Sequence, residues 1–222
     1  MQRREFSFSA ATAAATAALG GAAGFSGAAL AQGGKVFKAG TDYLVLDKPA
    51  PTEAAAGRVE VVEFFWYSCP HCNRFEPQFE AWMKKLPKDV AVRRVPVAFR
   101  PDFEPQQRLY YALDSLGKVD DMQMKVFNAI HNEKLPLATS EQITAWVEKQ
   151  GVDKAKFVDA YNSFPVVTKV RRATQLQDSY KVQGVPALGV AGRFYTDGTQ
   201  AESMERALLV VDYLVGLARK SK

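Results

Sequence analysis

The sequence predicts an α/β domain interrupted by an α-helical insertion. Three observations carry this. Two apolar, β-prone runs, at residues 58–66 and 90–99, flank a segment whose aromatic residues fall at helical spacing. A stretch of roughly 70–75 residues follows in which the periodicity is helical throughout. Strand signals return only near residue 185, ahead of a last amphipathic helix.

Taken in order, residues 32–38 read as a flexible lead-in, and residues 43–46 (YLVL) as a short edge strand before a Pro/Ala-rich connection at 47–57. Residues 58–66 are the strongest strand candidate, because near-continuous apolar character points to burial on both faces. A helix is expected to run from Cys72 toward Leu86 with Phe75, Phe79 and Trp82 on one face, kinked or loosened at Pro77. Residues 90–99 (VAVRRVPVAF) read as a second buried strand, with Pro96 near its end.

The helical block is punctuated. A helix over 106–116 ends at Gly117, a C-cap residue, and one over 120–130 carries Met124, Phe127 and Ile130. Thr139-Ser140-Glu141-Gln142 matches a capping box with Thr139 as N-cap, and Asp153 can cap a short helix through Tyr161. Val166, Val170, Ala173, Leu176 and Tyr180 mark one face of a longer helix. Residues 185–190 then form a strand, and Ala191-Gly192-Arg193 turns it into Phe194-Tyr195-Thr196 as a hairpin. A final helix covers 202–218. Phe99, Phe103, Leu109, Tyr110 and Met124 are expected mostly in the core, some of them lining a substrate groove, and Trp66 is expected to pack beside the reactive centre.

That centre is the junction at residues 61–75 (VVEFFWYSCPHCNRF), which holds the chain's two cysteines, Cys69 and Cys72. Residues i and i+3 of a helix lie ~5–6 Å apart between Cβ atoms. A disulfide needs Cα atoms ~4.4–6.8 Å apart, so this pair can close and open with small adjustments. Cys69 falls at the helix N-terminus, where free N–H groups and the macrodipole favour a thiolate. Pro70 suits the first turn, since its missing N–H had no acceptor there. His71 adds a polar group that can carry positive charge beside Cys69, and Cys72, one turn in, is expected to be shielded and to act as the resolving thiol. Zinc is poorly supported, because His71 and His131 are the chain's two histidines and no second cysteine pair exists. No metal site is predicted, and His131 reads as a solvated or C-capping residue.

Composition is that of a globular protein, 47% hydrophobic and 24% charged, with a formal charge of +5. The basic residues are scattered, Arg93-Arg94 among them as an isolated pair, so solvated surface charge explains them better than nucleic-acid binding. Residues 1–31 read as a cleaved signal peptide: Arg3-Arg4 at the start, an Ala/Gly-rich stretch, and Ala29-Leu30-Ala31 as the cleavage site before Gln32. Arg3-Arg4-Glu5-Phe6 also resembles the twin-arginine motif, departing from it at Gln2, Ser7 and Phe8. The remainder has no run of 18 or more apolar residues, which predicts a soluble exported protein. In an oxidising compartment, structural stapling normally takes several cysteines. Two, this close together, constrain little chain entropy, so they read as chemistry.

The element order and the motif together resemble the DsbA family of periplasmic thiol:disulfide oxidoreductases, a thioredoxin fold with an inserted helical domain. Cys69-Pro70-His71-Cys72 matches its active-site tetrapeptide, Val185-Pro186 its cis-proline loop, and Val62-Glu63-Phe64-Phe65 the strand before the motif. The resemblance implies a thioredoxin-like domain in two parts, residues 32–99 and 175–222, around a helical insertion at 100–174. It implies Cys69 as nucleophile, Cys72 as resolving thiol, and His71 as stabiliser of the thiolate. Pro186 would be cis and abut the cysteines, with the Val185 backbone free to pair with an extended substrate. Glu63 would be a buried carboxylate assisting proton transfer at Cys72. Arg94 aligns with a lysine that partners this Glu in better-known members; arginine does not readily release a proton, which puts a shared relay there in question.

The expected activity is donation of the Cys69–Cys72 disulfide to reduced exported proteins by a periplasmic monomer, with no metal or organic cofactor. A DsbB-like membrane quinone reductase is the reoxidant the resemblance implies. Other readings are a reductant or isomerase on the same fold, a non-catalytic peptide-binding chaperone using the Val185-Pro186 groove, and a glutathione-dependent enzyme on this scaffold. Against the first stand Pro-His where reductants favour Gly-Pro, and too short a segment before the motif for a dimerisation domain.

Overall fold

The computed structural model describes residues 36–220. The leader at 1–31 with its Arg3-Arg4 pair, and the cleavage site before Gln32, lie outside the described residues. A five-stranded mixed sheet runs in the order β1-β5-β4-β2-β3. The strand that organises it is β2 (Val59–Phe65), buried at every position. Helix α1 (Pro70–Met83) carries the chain from β2 to the parallel strand β3 (Val90–Pro96). On its other side β2 pairs antiparallel with β4 (Ala187–Val190), which pairs with β5 (Phe194–Asp197), which in turn pairs with β1 (Leu44–Val45).

Side chains alternate across a strand, so β2 feeds two cores. Val59 and Val61 pack with Phe75 and Phe79 of α1 and with Val211 and Leu214 of the last helix, α7 (Met204–Lys220). Val62 and Phe64 join the core under the helical block, with Leu109, Phe127 and Tyr180. Each large apolar side chain buried this way contributes about 1.5–3 kcal/mol. Glu63 falls on the Val61 face, under α1, and its Cα neighbour on β3 is Arg94.

The block between β3 and β4 starts with a 3-10 turn (Pro101–Phe103) and comprises α2 (Glu104–Ser115), α3 (Val119–His131), α4 (Ser140–Lys149), α5 (Lys154–Tyr161) and α6 (Phe164–Ser179). The starts of α4, α5 and α6 are capped by side chains. Thr139 Oγ1 accepts from the Gln142 N–H at 3.3 Å, and Asp153 Oδ1 from the Lys156 N–H at 3.0 Å. The capping box is not fully reciprocal, since Gln142 reaches back to the Ala138 N–H, not to that of Thr139. Ser163 caps α6 in the same way. The β4–β5 turn closes with the Arg193 N–H on Val190 C=O (3.0 Å) and positive φ at Ala191 and Gly192. A Cβ at Gly192 would lie 2.3 Å from the Ala50 carbonyl oxygen, so only glycine fits.

Several expectations need correction. The lead-in is anchored within the described residues: Phe37 is buried edge-on against Tyr213, under the Arg206 guanidinium. The strand β3 is a sheet edge, with Ala91, Val92 and Arg93 only half-buried. Phe99 and Met124 are exposed, at 40% and 44%. Phe99 lies past the end of β3, where the sheet no longer covers it. Met124 is three residues from Phe127, a step that lands about 60° around the helix and outside the stripe formed by Met122, Val126, Phe127 and Ala129. Arg93 and Arg94 are not a surface pair: Arg94 is buried, and adjacent strand residues point to opposite faces. Among the described residues no helix is long and apolar enough to cross a membrane.

Candidate active site

The strand β2 ends at Phe65, and the chain turns once before α1. Cys69 is the N-cap of α1, with extended backbone (φ −80°, ψ 118°), and Pro70 occupies the first helical position. Both cysteines are free. Cys69 is 7% exposed and Cys72 1%, whereas Pro70 and His71 between them are exposed. An incoming group therefore meets Cys69 first.

The two sulfurs have opposite acidities. The S–H of Cys72 donates to the Cys69 sulfur and does most to hold Cys69 in its ionised form. Burial opposes this, and the backbone N–H groups of Cys72 and His71 add to it, followed by the charge of His71. The result is a Cys69 pKa lowered to about 6. For Cys72 burial dominates, and the neighbouring Cys69 sulfur reinforces it, so its pKa lies well above the usual thiol value. His71 thus acts on Cys69 through its backbone more than its ring. Its Nδ1 lies 2.7 Å from Arg74 Nη2.

The Val185–Pro186 peptide bond is cis, and the Val185 carbonyl oxygen lies 3.3 Å from the Cys69 sulfur, accepting its S–H when the thiol is protonated. That loop and the cysteine motif, 116 positions apart in the chain, thus meet at the sulfur.

Beneath the motif lies a buried ionic cluster. Arg94 Nε donates to Glu63 Oε2 at 3.0 Å, and Arg94 Nη2 donates to Glu76 and, at 2.7 Å, to Glu80. Glu63 and Glu76 are both fully buried. Burial raises the pKa of Glu63, offset in part by Arg94, and leaves its Oε1 without a hydrogen-bond partner. Burial, then the Glu63 charge, raises that of Glu76. Burial works against the charge of Arg94, but the three carboxylates outweigh it and hold the guanidinium protonated. One cation serves three carboxyl groups.

Glu76 and Glu80 were not singled out from sequence. The available signal was a carboxylate at position 76 beside Phe75 and Phe79 on an otherwise apolar stripe. Gln106, Gln123 and His131 reach the loop before Cys69 from the helical block, and no local pattern announces them. Tyr67 Oη donates to Gln123 at 2.7 Å, and His131 Nε2 lies 2.8 Å from the Tyr67 carbonyl, so the His131 ring, partly buried, bridges to the loop and does not cap α3.

Residues 60–209 match the DSBA-like thioredoxin domain family. The chain belongs to the DsbA family. It is 44% identical over 183 residues to the thiol:disulfide interchange protein DsbA of Burkholderia cepacia, covering 82% of this chain and 86% of that one. It is 41% identical over 207 residues to the DsbA of Bordetella pertussis, covering 93% and 95%. The crystal structure of Pseudomonas aeruginosa DsbA superposes with a TM-score of 0.79 at 38% identity, over 83% of this chain and 96% of that one. DsbA membership accounts for the thioredoxin-like sheet with its helical insertion, and makes the chain a thiol:disulfide oxidoreductase.

Proposed function

We propose that the chain donates its Cys69–Cys72 disulfide to reduced exported proteins in the periplasm. The observation that carries this is the opposed acidity of the two sulfurs, with the acidic one the more accessible. A substrate thiolate attacks Cys69, the Cys69–Cys72 bond breaks, and Cys72 leaves with the electron pair and takes up a proton. A second substrate thiolate then attacks the substrate sulfur of the mixed disulfide. The substrate disulfide forms, and Cys69 departs as a thiolate. Two electrons pass from substrate to protein, and one of the two substrate protons goes to solvent.

Leaving-group acidity alone would direct the first attack to Cys72, expelling the better leaving group. Access reverses this, because Cys72 is shut in beneath Cys69. In the second step access and acidity agree. With a pKa near 6, Cys69 is about nine-tenths ionised at pH 7. Against an ordinary thiol this stabilises the reduced form by ~1.4 kcal/mol, or ~30 mV for the two-electron couple. The high pKa of Cys72 adds nothing at that pH, since an ordinary thiol is already protonated there.

Proton delivery to Cys72 falls to the carboxyl groups beneath it, Glu63 first, because Arg94 holds its own proton. The Val185 backbone, beside cis-Pro186, receives an extended substrate segment next to Cys69. The exchange draws on the two sulfurs alone and asks for no metal or organic cofactor. Reoxidation by a DsbB-like quinone reductase, export through the leader and action as a monomer complete the reading. Its test is the redox equilibrium of the cysteine pair against glutathione, with Cys69→Ser as the control. A potential well above that of thioredoxin, and loss of dithiol oxidation in Cys69→Ser, are expected. A thioredoxin-like potential would move the function to reduction or isomerisation.

A further inference from the structure

The segment joining β2 to Cys69 is a tight turn. The Cys69 N–H donates to the Trp66 carbonyl at 3.0 Å, which puts Tyr67 and Ser68 at its centre. The peptide group between those two residues is held at both poles by side chains of the helical block. His131, the last residue of α3, donates from Nε2 to the Tyr67 carbonyl oxygen at 2.8 Å. Gln106 of α2 accepts from the Ser68 N–H through Oε1 at 3.2 Å.

Gln106 is fixed in its role, and His131 could reverse its own only by moving its ring proton to Nδ1. Gln106 is 4% exposed, and its Nε2 is committed to Ser68 Oγ at 2.7 Å and the Leu137 carbonyl at 3.3 Å. The His131 ring stacks on Phe127, and its Nε2 faces a carbonyl that can only accept. The flanking residues are held from the same block, Trp66 stacked on Phe103 at 3.8 Å and Tyr67 bonded through Oη to Gln123.

Rotation of the central peptide interconverts the common β-turn types, because it changes ψ of the second residue and φ of the third while the ends stay nearly in place. A donor at the oxygen and a fixed acceptor at the N–H together favour this orientation. After a flip, His131 would face an N–H and Gln106 Oε1 a carbonyl. Cys69 is at once the last residue of this turn and the N-cap of α1, so the turn type sets how its sulfur meets the N–H groups of His71 and Cys72. We propose that His131 and Gln106 are positioning residues that hold the Tyr67–Ser68 peptide in one orientation, and that through it the helical block sets the reactivity of Cys69. The inference rests on Cys69 being the exchanging sulfur.

The test is the pH profile of Cys69 alkylation by iodoacetamide in the reduced full-length protein, with the labelled site assigned by mass spectrometry. Folding of each variant is checked by circular dichroism. His131→Leu is expected to raise the Cys69 midpoint by about half a unit or more, a roughly threefold loss of thiolate below the midpoint. His131→Gln keeps an N–H donor at similar reach and should restore the parent profile. Gln106→Leu removes the opposite pole and is the independent second variant, with the same upward shift expected. An unchanged midpoint in whichever leucine variant folds, or a glutamine variant shifted as far as His131→Leu, overturns the proposal. The readout needs no protein substrate. A parent protein with an acidic Cys69 that fails to oxidise dithiols would instead defeat the functional reading and leave this one standing.

Discussion

Helix α1 treats acids oppositely at its start and at its middle. At its N-terminus the thiol of Cys69, 7% exposed, becomes a stronger acid. Two turns on, Glu76, fully buried, becomes a weaker one. Burial pushes both pKa values up, so burial is not the difference. Cys69 is met by the Cys72 S–H and two backbone N–H groups of the first turn, all of which favour its anion. Glu76 shares one guanidinium with Glu63 and Glu80, and its other oxygen receives only a long bond, 3.4 Å, from Gln123. A helix start offers surplus donors, whereas a mid-helix position facing the sheet offers only what other elements bring. The stronger acid sits where donors are free, and the weaker one where they are scarce.

The sharpest way to break this contrast is to remove the shared cation. Arg94→Met should cost about 3–5 kcal/mol of stability, because it strands buried carboxyl groups, as read by urea unfolding. The Cys69 titration should barely move, since Arg94 is not among the groups that set it. A large shift at Cys69 would mean that the two sites are not independent.

Linkage to pH comes next. The folded pKa of Cys69 is depressed, so its contribution to the stability of the reduced protein is fully present above about pH 8.5 and is lost as the pH falls through about 6. The reduced protein should therefore exceed reduced Cys69→Ser by about 3 kcal/mol more at the alkaline end of that window than at the acid end. A difference that stays flat with pH would refute the depressed thiol. Glu76 carries the opposite sign. Its folded pKa is raised, so the unfolded state ionises first and stability falls as pH rises from the ordinary carboxyl range toward about 8. Glu76→Gln should remove that decline, seen as a flatter plot of unfolding free energy against pH. The smallest effect serves as a control: Thr139→Ala should cost about 1 kcal/mol through its lost cap and leave the Cys69 titration unchanged.

Much of this was legible in the sequence, for physical reasons. Local rules reached what local residues determine: the buried strand at Val59–Phe65, the caps at Thr139 and Asp153, the hairpin turn at Ala191-Gly192, and Cys69 at a helix start. They misjudged Phe99 and Met124, whose burial depends on where a strand stops and on the rotation of a helix. Composition alone took Arg94 for surface charge, although its register opposite Glu63 buries it. Glu80, Gln106 and His131 gain their roles only when distant elements meet, and no spacing within one segment announces that. Resemblance supplied Glu63 and the Val185-Pro186 loop, which spacing alone would not have joined to the cysteines.

The most direct single test is a titration of the reduced protein from about pH 4 to pH 9, followed by thiolate absorbance in the ultraviolet. One thiolate should appear with a midpoint near 6, and it should be missing from Cys69→Ser. Cys72 should remain protonated across the range. A Cys69 midpoint at the ordinary thiol value, about 8.5, or two thiols ionising together, would contradict the stabilised thiolate on which the disulfide donor depends.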